Sequence, residues 1–192
     1  MPKVVAEYKA QARDRIVAAA RVVFRREGFR KATMDDIARE IGVSKGALYL
    51  YFRTKNDLLA EIQRRFRNEV LQRWEGLLEK GDVADGIASS LDAVFSREVD
   101  PEVWHELGAA SGADPSLRRL LEADEREDQR LMRRFVRRLQ ERGRIPKSKD
   151  PSALAEVILV LLHGTVSELV IRGPDADSRK RLARSLRLVL GT

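Results

Sequence analysis

Residues 33–52 read TMDDIAREIGVSKGALYLYF, and the spacing within this stretch decides how the rest of the chain is read. Thr33 with Asp36 three positions on has the form of a capping box, so a helix starts at Met34. Ile37, Ala38 and Ile41 recur at helical spacing and make its inner face. Gly42 stands where the chain has to turn sharply and needs a positive φ. Val43 is expected to plug the corner, Ser44 to N-cap a second helix, and Leu48 and Tyr51 to face inward. Ala38, small and four residues before the turn glycine, lets the two helices cross closely, which is the geometric need of a helix-turn-helix. The second helix then presents Ser44, Lys45, Gly46, Ala47, Tyr49 and Leu50 outward. Small residues allow close approach, and hydroxyls with one ammonium suit phosphates and base edges.

The charge distribution agrees. The 192 residues carry a net charge of +7, and residues 1–55 hold all of it, with 13 Lys plus Arg against 6 Asp plus Glu. Residues 56–192 hold 24 of each sign. An excess confined to a small N-terminal segment is what contact with a polyanion requires. There is no cysteine, which excludes a disulfide framework, a zinc finger and a cysteine nucleophile, and fits a reducing compartment. The two histidines, His105 and His163, are too far apart in sequence to suggest a metal site. No metal and no cofactor is expected. Residues 1–10 lack the apolar core of a signal peptide, so the expected location is cytoplasmic.

Prolines and glycines divide the chain. Asp100-Pro101, Asp114-Pro115 and Asp150-Pro151 read as helix starts, with Asp as N-cap and Pro at the first helical position. Gly28, Gly81, Gly143 and Gly173 read as stops. No stretch alternates over a strand length, so the fold expected is all-α. About nine helices are predicted, near 8–27, 34–41, 45–51, 55–79, 84–97, 101–111, 115–142, 151–172 and 178–190. Residues 1–55 then form a three-helix DNA-binding head, and the long fourth helix joins it to a helical domain over 56–192.

Over about residues 12–60 the chain resembles the TetR-type transcriptional repressors. The run from Gly42 through Lys55 to Leu58 matches the family pattern of turn, recognition helix and start of helix 4. The resemblance implies a homodimer that binds a double-stranded DNA operator and is released by a small-molecule inducer. By the same resemblance Thr33, Tyr49 and Lys55 are phosphate contacts. Ser44 and Lys45 open the recognition helix, and Gly46 permits close approach to the groove. Leu50 stands where the family often carries histidine; a leucine forms no hydrogen bond but packs on a thymine methyl.

Other readings compete. Gly42-Val43-Ser44-Lys45-Gly46 formally matches the G-x-S-x-G elbow of hydrolases, but that motif follows a strand, and Ser44 has a plainer role as an N-cap. Residues 153–171 are the most apolar segment, interrupted by Glu156, His163 and Glu168, which makes a poor membrane span, and no membrane partner is expected. With the row Leu182, Leu186 and Val189 of the last predicted helix, Val157 and Leu161 suggest a four-helix dimer interface built from the eighth and ninth helices. The plainer alternative is a monomer core. Arg130, Arg133, Arg134, Arg137 and Arg138 follow an acidic half-helix and read as dipole-complementing pairs rather than an anion site. Phe95, Trp104, His105, Met132 and Phe135 are candidates for a ligand pocket, with ordinary core packing as the alternative. Only five of the eleven aromatics lie beyond residue 55, which favours an apolar or acyl-type inducer. A ligand-independent DNA-binding dimer is the competing function.

Overall fold

The computed structural model describes residues 2–93, 101–173, 175 and 177–191. All regular structure among them is helical: α1 (Pro2–Glu27), α2 (Met34–Ile41), α3 (Lys45–Tyr49), α4 (Lys55–Glu75), α5 (Val83–Ala88), α6 (Ser90–Ala93), α7 (Pro101–Ser111), α8 (Pro115–Glu141), α9 (Pro151–Arg172) and α10 (Ser178–Leu190). Only Ser89 parts α5 from α6, and counting that pair as the one helix expected near 84–97 gives nine. Two boundaries differ from expectation. The first helix starts at Pro2, since no glycine or proline interrupts 3–27 and a nucleated helix propagates through such a stretch. The fourth ends at Glu75, because Gly76, a poor helix former, opens a tighter 3-10 turn over Gly76–Leu78.

The start signals act as read. The Asp150 carboxylate accepts the Ser152 N–H at 2.9 Å with Pro151 behind it, and Asp114 accepts those of Ser116 and Leu117 at 2.8 and 3.1 Å. Asp100 lies outside the described residues.

The chain packs as two compact units. The first comprises residues 1–65 and 103–120, the second 66–102 and 121–192. Space therefore adds 56–65 and 103–120 to the head read from the sequence. Three short helices bury too little surface alone, and Leu58, Leu59, Ile62, Leu107 and Leu117 complete the core of this unit. Phe24 and Phe29 meet edge to face in it, with centroids 5.1 Å apart.

The second unit is a larger apolar core in which Trp74 stacks on Phe135 at 5.2 Å. Arg187 of α10 ties down the start of α5 through Asp82 and Asp85, at 3.3 and 2.5 Å. The longest apolar helix, α9, has a mean hydropathy of 1.9 and by length and composition alone could cross a membrane. One side of it, Leu154, Ala155, Ile158, Leu159 and Leu169, is buried in this core.

Candidate nucleic-acid interface

The α2–α3 pair is built by local hydrogen bonds. Thr33 and Asp36 form the reciprocal cap: Thr33 Oγ1 accepts the Asp36 N–H at 3.2 Å, and the Asp36 carboxylate accepts the Thr33 N–H at 3.0 Å. The Thr33 hydroxyl donates to the same carboxylate at 2.5 Å and holds the Asp36 carboxyl below its ordinary range. At the turn, the N–H groups of Gly42 and Val43 both return to the Ala38 carbonyl, at 3.1 and 3.0 Å. Gly42 has φ +76°, and a Cβ there would meet nothing within 4 Å, so glycine is needed for the backbone alone. Ser44 Oγ accepts the Ala47 N–H at 3.2 Å and starts α3, while Leu48 is fully buried against the head.

Two inward assignments are corrected. Phe52, not Tyr51, is the buried aromatic after Leu48. The helix ends at Tyr49, and the N–H groups of Tyr51 and Phe52 both turn back to the Leu48 carbonyl, so helical spacing no longer applies there. Val43 leaves its side chain exposed, and its backbone rather than its methyls closes the corner.

Outward, Ser44, Lys45, Gly46, Tyr49 and Leu50 are exposed, Leu50 to 84%, and Ala47 is half-buried. The Lys45 ammonium pairs with Asp35 at 2.7 Å and lies 6.0 Å from the Tyr49 ring, and the Asp35 hydrogen bond raises its pKa. Exposed pairs of this kind are weak and screened, so a phosphate can exchange for Asp35.

Lys55 is placed otherwise than a phosphate ligand. Its Nζ donates to the carbonyls of Phe29, Arg30 and Ala32, at 2.7, 3.0 and 3.2 Å, and sits 4.7 Å over the Phe29 ring. Burial lowers its pKa. With three donors given to the segment between α1 and α2, the ammonium positions the head from inside, and reaching a phosphate would require giving up one of these bonds. Beside it, Thr54 and Asp57 cap α4 reciprocally, at 2.9 and 3.1 Å.

Sequence reasoning missed three features. Arg13 of α1 stacks over Phe52 at 4.4 Å, and with Arg53, Asp57, Glu61 and Arg64 it lines an open cleft of about 390 Å³ in the first unit. Arg64 there pulls the Glu61 carboxyl down to about 2. Glu106 accepts two backbone N–H groups of the head, which no local pattern announces because 76 and 77 residues separate the partners. In the second unit Arg67 bridges Asp124 and Asp128, at 2.9 and 2.7 Å, and burial pushes the Asp124 carboxyl up to about 6 despite that partner.

Among the pocket candidates, Phe95 and the side chains of Trp104 and His105 lie outside the described residues. Met132 and Phe135 are corrected to core residues, since the stripe Met132, Phe135, Val136 and Leu139 of α8 faces inward at helical spacing. One arginine of α8 follows the plainer reading, Arg130 pairing with Glu127 of the same helix at 2.7 Å, whereas Arg138 grips Glu75 of α4 with two bonds of 2.5 and 2.9 Å. Of the interface candidates, Leu182 and Leu186 are corrected to the core of their own chain. Val157 is exposed, and Leu161 and Val189 are half-buried.

Residues 16–62 match the bacterial regulatory proteins of the tetR family. Residues 87–190, more than half of the chain, match the C-terminal domain of BetI-type transcriptional repressors. The chain belongs to the TetR family of transcriptional regulators. The relative YfiR of Bacillus subtilis, an uncharacterized HTH-type transcriptional regulator, is 29% identical over 199 residues covering 100% of this chain and 96% of that protein. The fold is shared with a TetR-family regulator from a Rhodococcus species, with a TM-score of 0.77 and 24% identity over 94% of this chain and 99% of that one. It is shared as well with SmeT in its triclosan complex, with a TM-score of 0.74 and 21% identity over 93% and 90%. Regulation of transcription, not enzymatic turnover, is the activity of TetR proteins, and Ser44 accordingly serves as the α3 N-cap behind a helix, not as a nucleophile behind a strand.

Proposed function

We propose that this chain is a repressor that binds a palindromic operator as a homodimer and is released by a small molecule. The observation that carries the reading is the outward surface of α3. Small, hydroxylated and basic side chains stand exposed on a helix whose inner residue, Leu48, is locked in the core. Ser44, Lys45, Gly46, Ala47, Tyr49 and Leu50 are assigned to the groove, and Thr33 to a phosphate at the start of α2. Lys55 is assigned to a phosphate only if it leaves part of its backbone contact.

The second copy is assigned to the outward row of α9, with Val157, Val160 and Ile171, and to Leu188 of α10. These side chains are exposed on a chain whose other large apolar groups are mostly buried. The relatedness of the carboxyl-terminal region to BetI-type repressors supports repression, and the fold shared with a triclosan-bound protein supports a small-molecule inducer. The aliphatic character of the region beyond residue 55 supports an apolar or acyl-type compound.

Selection from a random duplex pool tests the reading. The expected product is a near-palindrome with half-sites about 34–36 Å apart or slightly more, as a two-fold dimer on B-DNA requires. Recovery of no enriched sequence, or of a single unpaired site, would overturn it.

A further inference from the structure

The segment 28–32, Gly-Phe-Arg-Lys-Ala, joins α1 to α2 and delivers the chain to the Thr33 cap. It has little hydrogen bonding of its own, and the closing bond runs from the Ala32 N–H to the Gly28 carbonyl at 3.1 Å. The rest comes from two opposite charges. Lys55 takes the carbonyls of Phe29, Arg30 and Ala32. Glu106 of α7 takes the amides, with Oε2 accepting the Phe29 N–H at 2.7 Å and Oε1 accepting the Arg30 N–H at 2.8 Å. Each carboxylate oxygen is matched to one donor. Bonds of this charge-assisted, two-pronged kind are short and directional. Gly28 belongs to the same arrangement: a Cβ there would lie 2.8 Å from Glu106 Oε2, and its φ is +79°. The Phe29 ring is buried and packs on Phe24, so the backbone that Glu106 holds is anchored on its other side as well.

Downstream of this segment the α2–α3 pair is held by local bonds and burial: Thr33 caps α2, the Ala38 carbonyl closes the turn, and Leu48 of α3 is fully buried. The orientation of α3 against α1 and α4 therefore depends on where residues 28–32 are pinned. We propose that Glu106 is the positioning residue that pins them for operator binding. Withdrawal of the carboxylate frees two amides and loosens the α2–α3 pair without touching any residue that meets DNA. This inference rests on the operator reading above.

The sign of the effect separates it from simple electrostatics. Glu106→Gln removes a negative charge from a basic head, and Coulomb attraction to DNA alone then predicts tighter binding. Positioning predicts weaker binding to the operator, by about tenfold, the worth of one hydrogen bond to a charged group. The selected duplex and an unrelated duplex of equal length are titrated at about 25 °C, the reference temperature of these magnitudes, with wild type, Glu106→Gln and Glu106→Asp, the last of which keeps the charge but falls short of the amides. Circular dichroism and hydrogen exchange are recorded on each. The expected result is folded variants in which the Phe29 and Arg30 amides exchange faster, operator affinity falls for both, and affinity for the unrelated duplex holds or rises for Glu106→Gln. Should Glu106→Gln fail to fold, Glu106→Asp alone decides by the same comparison. Unchanged or tighter operator binding by a folded variant overturns the inference and leaves the operator reading standing. Failure of the wild type to enrich any duplex overturns both.

Discussion

The pairs α2–α3 and α9–α10 are both helices crossing at a short connection, yet they turn opposite chemistry to solvent. In α2–α3 the apolar residues Ile37, Ala38 and Leu48 are all buried, and what remains outside is short, polar or charged of either sign (Asp35, Arg39, Glu40, Lys45) apart from Val43, Tyr49 and Leu50. In α9–α10 the core takes Ile158, Leu159, Leu182 and Leu186, and large apolar groups are left over: Val160 is 64% exposed, Ile171 78% and Leu188 83%. A polyanion rewards the first surface, whose charges and hydroxyls need no desolvated partner. The second copy proposed above would reward the second, because apolar area is stabilising only when it leaves water. The difference teaches that on this chain the outward residues, not the helices as such, carry the partner assignments.

The largest test of that contrast lies in α10. Leu186 is fully buried in its own chain, so Leu186→Ala is expected to cost about 3 kcal/mol of stability in urea denaturation, as cavity-forming substitutions do. A loss below about 1 kcal/mol together with dissociation of the dimer would return Leu186 to the interface. Next is Val160→Asp on the outward row of α9. It is expected to leave the far-ultraviolet spectrum intact and to weaken self-association by about 2 kcal/mol, or roughly thirtyfold, in sedimentation equilibrium, since a carboxylate would have to enter an apolar contact. A variant that associates like wild type would remove α9 from the interface.

In the head the expected effects are smaller. Gly42→Ala meets no neighbour, so its cost is backbone strain alone, about 1 kcal/mol, read as a drop in melting temperature. No change would mean that the turn adjusts its φ freely and that the α2–α3 angle is softer than described. Smallest is Lys45→Ala, which breaks an exposed pair with Asp35 and leaves stability nearly unaltered. Its expected mark is on DNA: the slope of log affinity against log salt flattens by about one. An unchanged slope would take Lys45 off the phosphates and leave it to the bases or to Asp35.

Much of the head is legible in the sequence. Thr33, Asp36, Gly42 and Ser44 act within four residues of their partners, so their roles follow from spacing. Asp114 and Asp150 with the prolines after them mark helix starts for the same reason. The partner of Leu182 and Leu186 is not legible, because an apolar stripe looks alike whether it packs on the same chain or on another one. Nor is the burial of Phe52 in place of Tyr51, because α3 stops two residues earlier than periodicity alone suggests.

The sequence by itself determined the all-α class, the helix-turn-helix and the basic head, because helix periodicity, capping and charge are properties of near neighbours. Tertiary structure alone decided that Lys55 faces Phe29, Arg30 and Ala32, and that Glu106 reaches the amides of the same segment. It alone decided which face of α9 is covered. The contacts of Lys55 and Glu106 depend on residues 23 to 77 positions apart meeting in space, and a chain records no such distance in its local pattern.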